Sequence, residues 1–148
     1  MAKLFIYYSF TGNGDTIATY LSEKGYELRK VEEKKKMPKT FFFSILQGGF
    51  RAGINAKGKL INYDNDVSKY EEIVIGSPIW NGKLVPAINS VLEQTSLSDK
   101  KVSFVLYSGS GNGKKAEKKI NKLFSNSKII ILKEPSKNKT EINKLQEL

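Results

Sequence analysis

The 148-residue sequence contains neither cysteine nor histidine. Without cysteine, the chain forms no disulfide, offers no thiolate nucleophile and ligates no iron–sulfur cluster. With both residues missing, zinc sites built on Cys or His ligands are excluded, and so is the commonest acid–base side chain near neutral pH. We expect no metal site and no catalytic side chain. Any redox chemistry must then be carried by a bound organic cofactor or by a partner.

Long apolar runs are missing as well. No stretch approaches the about 18 consecutive apolar residues that indicate a membrane-spanning helix. The first ten residues contain one lysine and a short apolar run, which is too little for a secretory signal. We therefore expect a cytoplasmic protein that folds as one domain over residues 1–148.

Acidic residues are scarce relative to basic ones. The chain has 25 Lys and Arg against 15 Asp and Glu, which gives a formal net charge of +10. One interpretation is a lysine-rich composition without functional meaning; the other is attraction to an acidic partner, a nucleic acid or an anionic membrane. Because almost all the basic residues are lysine, we expect no specific nucleic-acid partner.

The apolar residues that are present gather in short continuous runs. Such runs are typical of strands covered on both faces of a parallel sheet. Segments with helical spacing of apolar residues lie between them, so the sequence predicts a doubly wound α/β sheet. The strands are predicted at 4–8, 26–31, 73–75, 102–107 and 129–132. The helical stripes are predicted at Ile17, Ala18 and Leu21; at Leu84, Val85, Ile88, Val91 and Leu92; at Ala116, Ile120, Leu123 and Phe124; and at Ile142, Leu145 and Leu148.

The stretch 32–59 interrupts this alternation. It is long for a connection, and it includes the basic run 34–36 and three consecutive phenylalanines at 41–43. We interpret it as an insertion with a short amphipathic helix around 40–46. Most of the phenylalanines are expected to pack on the domain itself.

Three loops that follow predicted strands have unusual composition. Because parallel α/β sheets bind ligands at the carboxyl ends of their strands, these loops are expected to share one edge. The first, 9–16, combines hydroxyls and glycines at the start of a helix, which suits a phosphate. The second, 76–82, holds the single tryptophan, placed to stack on a planar ring. The third, 108–113, has three glycines, which allow the backbone to approach a ligand closely.

These loops resemble those of the flavodoxin family. Ser9-Phe10-Thr11-Gly12-Asn13 is similar to the family's FMN-phosphate loop, [ST]-x-T-G-N. Gly76-Ser77-Pro78-Ile79-Trp80-x-Gly82, followed by Pro86, resembles the G-[ST]-P-[IV]-[WY]-x-G…P pattern of shorter flavodoxin-like proteins. The resemblance covers essentially the whole chain apart from the 32–59 insertion. It implies a five-stranded parallel sheet of order 2-1-3-4-5, helices on both faces, and noncovalent FMN.

The resemblance also implies which residues hold the cofactor. The phosphate would be bound by Ser9, Thr11, Gly12, Asn13 and Gly14. The family usually has threonine where Gly14 stands, and Thr16 is expected to compensate for the missing hydroxyl. One side of the flavin ring would be lined by Ser77, Pro78, Ile79, Trp80, Asn81 and Gly82. Its pyrimidine edge would be approached by Ser108, Gly109, Gly111 and Gly113.

The implied function is electron transfer through FMN, with a redox partner protein that the basic surface would select to be acidic. Two alternatives stay open. An FMN-dependent reductase would take hydride from NAD(P)H and pass it to a quinone or a similar small acceptor. A flavin-free module would use its basic segments to bind polyanions.

Overall fold

A computed structural model of the chain describes residues 2–34 and 58–148. Its sheet contains five parallel strands, β1 (Lys3–Tyr7), β2 (Tyr26–Lys30), β3 (Glu72–Trp80), β5 (Lys101–Ser108) and β6 (Lys128–Lys133). A two-residue strand, β4 (Lys83–Leu84), pairs antiparallel with the end of β3. The strand order is β2-β1-β3-β5-β6, with β4 beside β3. The predicted flavodoxin-like sheet and all five predicted strands are therefore confirmed, and β4 is an addition.

Within residues 2–34 and 58–148, three α-helices and one closing 3₁₀ helix accompany the strands. They are α1 (Asn13–Glu23), α2 (Pro86–Gln94), α3 (Lys114–Leu123) and the closing 3₁₀ helix (Lys139–Glu147). The prediction that Leu84 and Val85 belong to a helix is wrong: Leu84 lies in β4, and Val85 is extended. Helix α2 begins at Pro86 because the fixed φ of proline suits the first helical position. None of the described helices is long and apolar enough to cross a membrane.

The helices cover both faces of the sheet, because successive strand side chains point to opposite faces. On one face, Ile17 of α1 and Leu145 of the closing helix pack in a cluster with Phe5. On the other face, Ile88 of α2 and Ile120 of α3 pack in a second cluster. Leu123, which the apolar stripe of α3 was expected to bury, is 59% exposed because it lies at the last position of the helix.

The described ends of the 32–59 insertion are held side by side. Glu33 and Leu60 form an antiparallel bridge, and the N–H of Lys34 donates to the carbonyl of Lys59 at 2.8 Å. Gly58 is anchored on α2, where the hydroxyl of Ser90 donates to its carbonyl at 2.5 Å. The described residues on the two sides of 35–57 therefore lie next to each other. The predicted helix around 40–46 and the phenylalanines at 41–43 lie outside the described residues.

Candidate functional site

The loops at the carboxyl ends of β1, β3, β5 and β6 surround a pocket of about 250 Å³. This is close to the lower end of small-ligand pockets, about 300 Å³. The lining residues are Phe10, Thr11, Asn13, Pro78, Ile79, Trp80, Tyr107, Ser108, Gly109, Glu134, Ser136 and Lys137. All three predicted loops therefore contribute to it. A larger hollow of about 620 Å³ lies at the opposite edge of the sheet, and none of the three loops lines it.

The first loop presents the start of α1 to the pocket. Gly12 is the N-cap residue with φ +89°, and a Cβ placed on it would meet no atom within 4 Å. The N–H of Asp15 donates to Ser9 Oγ at 3.3 Å. Within the described residues, the N–H groups of Gly12, Asn13 and Gly14 have no hydrogen-bond acceptor. The loop thus offers unpaired donors at the positive end of a helix dipole, with open space beside Gly12.

Gly14 belongs to the packing of this loop. A Cβ on Gly14 would lie 2.8 Å from Ser9 Cβ and 2.8 Å from the hydroxyl oxygen of Tyr107. Tyr107 is buried, and its hydroxyl donates to the carbonyl of Tyr8. The tyrosine therefore takes the volume in which a threonine side chain would stand. The hydroxyl of Thr16 donates to the carbonyl of Gly12 at 3.0 Å, one turn into the helix, and Thr16 does not line the pocket.

The second loop is a tight hairpin between β3 and β4. Its turn residues, Asn81 and Gly82, have φ of 51° and 74°. Positive φ at both central residues is what a type I′ turn requires, and Asn-Gly is its preferred sequence. Trp80, at the end of β3, is held perpendicular to two other rings, Tyr8 and Phe10, with centroid separations of 5.9 and 6.0 Å. The indole is therefore fixed in orientation at the pocket wall.

Ser77 supports this hairpin from below. Its side chain is fully buried, donates to the carbonyl of Pro78 at 2.8 Å and accepts from the N–H of Val85 at 3.3 Å. It therefore fixes the backbone of the wall formed by Pro78 and Ile79. Ser77, Asn81 and Gly82 do not line the pocket themselves.

The third loop satisfies many of its own polar groups. Ser108 Oγ accepts from the N–H of Gly111 at 2.8 Å, and Asn112 Oδ1 accepts from the N–H of Lys114 at 3.2 Å. Ser108 and Gly109 face the pocket. Gly111, with φ 74°, lies against the side chain of Lys133, and Gly113 lies against Ile131. The glycines beyond Gly109 therefore allow the loop to pack, and they do not line the pocket.

A fourth loop, after β6, was not predicted. Asn13 Oδ1 accepts from both the N–H and the hydroxyl of Ser136, at 3.1 and 2.7 Å. Glu134 has φ 40°, which is unusual for a residue with a side chain, and it pairs with Lys137 at 3.0 Å. This loop forms a fourth side of the pocket through Glu134, Ser136 and Lys137. It contains no glycine and matches no motif, so only its position after a predicted strand pointed to it.

Two buried phenols and one ion pair set the charge beneath the first loop. Burial, with the carboxylate of Asp15 next to it, raises the pKa of Tyr7 to about 12. Burial also raises the pKa of Tyr107 well above its ordinary value. Both hydroxyls therefore keep their protons at neutral pH. The charge of Asp15 is offset by Lys30, whose ammonium lies 2.8 Å from the carboxylate.

Acidic side chains do not gather into a metal site in the described part of the chain. The cluster that surrounds the pocket is instead made of hydroxyls, backbone amides, apolar rings and one Glu–Lys pair. This composition suits an organic ligand that has both an anionic group and a planar apolar part.

No family model and no curated protein matches the sequence. Among solved structures, a candidate flavoprotein from Bacteroides eggerthii gives a TM-score of 0.75 at 18% identity, covering 91% of this chain and 92% of that one. A flavoprotein from Lactobacillus acidophilus, solved in complex with FMN, gives 0.70 at 21%, covering 94% and 97%. Its apo-form gives 0.58 at 24%, covering 87% and 88%. At these identities the likeness shows that the chains share a fold.

Proposed function

We propose that this chain binds FMN in the carboxyl-edge pocket and exchanges electrons with another protein. The observation that carries the proposal is the meeting of two features at one pocket. The unpaired N–H of Asn13 lies at the start of α1, next to those of Gly12 and Gly14, and the indole of Trp80 is fixed at the pocket wall. The fold shared with a protein that was solved in complex with FMN supports it. FMN, when bound, accepts and returns one or two electrons.

The residues of the pocket suit each part of this cofactor. The hydroxyl of Thr11 and the N–H groups of Gly12, Asn13 and Gly14 would bind the phosphate, and the open space beside Gly12 leaves room for it. Ser9, which belongs to the same loop, would also bind the phosphate. Pro78, Ile79 and Trp80 would bound the flavin ring on one side, while Ser108 and Gly109 would lie at its edge.

The remaining predicted residues would act by shaping these walls. Ser77 fixes the backbone of the second loop, and Gly82 completes its turn. Gly111 and Gly113 allow the third loop to pack against β6. The Asn81–Gly82 peptide is the backbone group at the tip of the hairpin, and it would supply a hydrogen bond to flavin N5.

Titration of the purified chain with FMN tests the cofactor proposal. We expect one equivalent to bind, with quenching of flavin fluorescence. Trp80→Ala should weaken binding by about tenfold because it removes an aromatic contact. Tyr20→Ala, which removes an aromatic side chain at the opposite edge, should leave the affinity unchanged. A chain that gains no bound flavin would contradict the proposal.

Addition of NADPH to the loaded chain in the absence of oxygen separates a carrier from a reductase. For a carrier, the flavin absorbance should stay unchanged over minutes, since electrons come from a protein partner. Rapid bleaching by NADPH alone would instead establish the reductase alternative.

A further inference from the structure

The excess positive charge of the described residues is concentrated on helix α3. This helix holds five lysines and one glutamate among ten residues. Outside it, the described residues carry fifteen basic and fourteen acidic side chains, and are therefore almost neutral. The rest of the excess belongs to the segment 35–57, which has five basic residues and no acidic one. A lysine-rich composition alone would have spread the charge over the whole surface.

Three lysines of α3 form one outward face. Lys114, Lys118 and Lys122 follow each other at intervals of four residues and are exposed, while Ala116 and Ile120 are buried against the sheet. Within the described residues, none of these three lysines is paired with a carboxylate. The face therefore presents unneutralised charge to solvent.

This face begins next to two of the loops that contribute to the pocket. Helix α3 starts directly after the third loop, whose Ser108 and Gly109 line the pocket. The side chain of Lys115 lies over the hairpin turn, so that a Cβ on Gly82 would be 3.0 Å from Lys115 Cδ. Two of the pocket-forming loops thus meet the first turn of α3.

The stability of helix α3 does not explain why lysines lie in its first turn. The N-terminal end of a helix dipole favours acidic side chains and disfavours basic ones. Helix α3 nevertheless begins with two lysines, Lys114 and Lys115, and has one acidic residue, Glu117, in its first turn. The charge is therefore better explained by something outside the molecule than by the fold.

We propose that the α3 lysine face, made of Lys114, Lys115, Lys118 and Lys122, is the docking surface for an acidic protein. Opposite charges would speed the encounter and orient the acidic protein over the pocket mouth. The electron exchange that follows rests on the proposed function, but docking itself needs no cofactor.

The chemistry of the face favours a protein over the other anionic partners. The apolar side of α3 is buried in the core, so the helix has no apolar face to lay into a membrane. It carries no arginine and no aromatic side chain, the residues that most often read bases or stack on them.

Binding of an acidic electron-transfer protein, a plant-type [2Fe–2S] ferredoxin, tests the proposal by calorimetry. Two double variants remove the same charge from opposite edges of the sheet: Lys114→Gln with Lys118→Gln on α3, and Lys24→Gln with Lys128→Gln at the amino edge. At an ionic strength of about 0.01 M, the α3 variant should bind at least about fivefold more weakly, and the control within about twofold of the parent. At an ionic strength of about 0.15 M, the difference in ferredoxin affinity between the α3 variant and the parent should become smaller, because exposed charges are screened.

Equal weakening by both variants, or ferredoxin binding that neither variant changes, would overturn the proposal. A stronger α3 dependence for a DNA duplex or for phosphatidylserine vesicles than for ferredoxin would overturn it too, in favour of a polyanion. FMN titration of the same variants keeps the two proposals apart. If docking depends on α3 while FMN fails to bind, only the proposed function is lost; if FMN binds and docking fails, only the docking surface is lost.

Discussion

Gly14 lies where the first loop, the start of α1 and the core meet. Its missing side chain leaves room for the Tyr107 hydroxyl and for Ser9, each of which would be 2.8 Å from an added carbon. Contacts of this length do not occur between real side chains, so a larger residue must displace Tyr107 or the loop. Tyr107 in turn holds the loop through the carbonyl of Tyr8. A side chain at position 14 would therefore also disturb the hydrogen bond between Tyr107 and Tyr8.

Gly14→Ala should accordingly destabilise the fold. Overpacking of a buried site costs about 1–3 kcal/mol, which outweighs the about 0.5–1 kcal/mol that alanine contributes in a helix. Urea unfolding measures the difference. Gly109→Ala is the matched control, since a Cβ there would meet nothing within 4 Å. Its free energy of unfolding should stay within about 0.5 kcal/mol of the parent. Equal stability of all three proteins would refute this account of Gly14.

Two individual residues show that a motif resemblance does not determine which group a hydroxyl binds. Ser77 and Thr16 carry the hydroxyls that the sequence offered for a ligand, yet both donate to carbonyl oxygens of the chain itself. A motif fixes which residue types follow a strand. It does not fix the direction of a hydroxyl, because that depends on neighbours such as Val85 that are brought close by folding.

The contact between α1 and the loop after β6 joins two elements that are far apart in sequence. Asn13 accepts two hydrogen bonds from Ser136, and its Nδ2 donates to Thr11 Oγ1 at 3.2 Å. The side chain of Asn13 thus connects the first loop to the fourth loop of the pocket. The loop it holds includes the left-handed Glu134, a conformation that surrounding contacts must maintain.

Asn13→Ala should loosen the fourth loop without unfolding the sheet. Loss of the acceptor frees the N–H of Ser136, and amide hydrogen exchange at Ser136 should become about tenfold faster, as expected for a bond of about 1.4 kcal/mol. Ser136→Ala removes only the hydroxyl and keeps the amide bond. In Ser136→Ala, the rate of amide hydrogen exchange at residue 136 should therefore change less than it does in Asn13→Ala. If both variants exchange at the parent rate, the link does not hold the loop.

The secondary elements were largely predictable, and the exceptions have physical causes. Continuous apolar runs mark strands that are buried on both faces, which is why β1, β3, β5 and β6 were found. The hairpin was missed because Asn81-Gly82 was interpreted as a ligand loop, although this dipeptide also favours a type I′ turn. Leu84 and Val85 were assigned to a helix because the apolar spacing continues across Pro86.

At the scale of the whole molecule, different groups of residues lie at the carboxyl edge and at the amino edge of the sheet, where the parallel strands end and begin. The carboxyl edge holds the pocket, the hairpin and the first turn of the lysine-rich α3. The amino edge holds the buried carboxylate of Glu72, which accepts from Tyr26 at 2.5 Å and lies near Lys3 and Lys101. Net charge could be read from the sequence. The lysines around the apolar stripe of α3 could be read from it too. That Lys114, Lys118 and Lys122 have no carboxylate partner among the described residues could not, because this depends on which acidic side chains folding brings near them.

The location of FMN is the central claim, and amide chemical shifts of the ¹⁵N-labelled chain during titration with FMN test it most directly. The account predicts large changes at Thr11, Gly12, Trp80 and Gly109, and at Ser136 in the fourth loop. Amides at the amino edge, such as those of Lys24 and Lys128, should stay in place. Changes confined to the amino edge, or spread evenly over the sheet, would contradict the assignment of the carboxyl-edge pocket as the cofactor site.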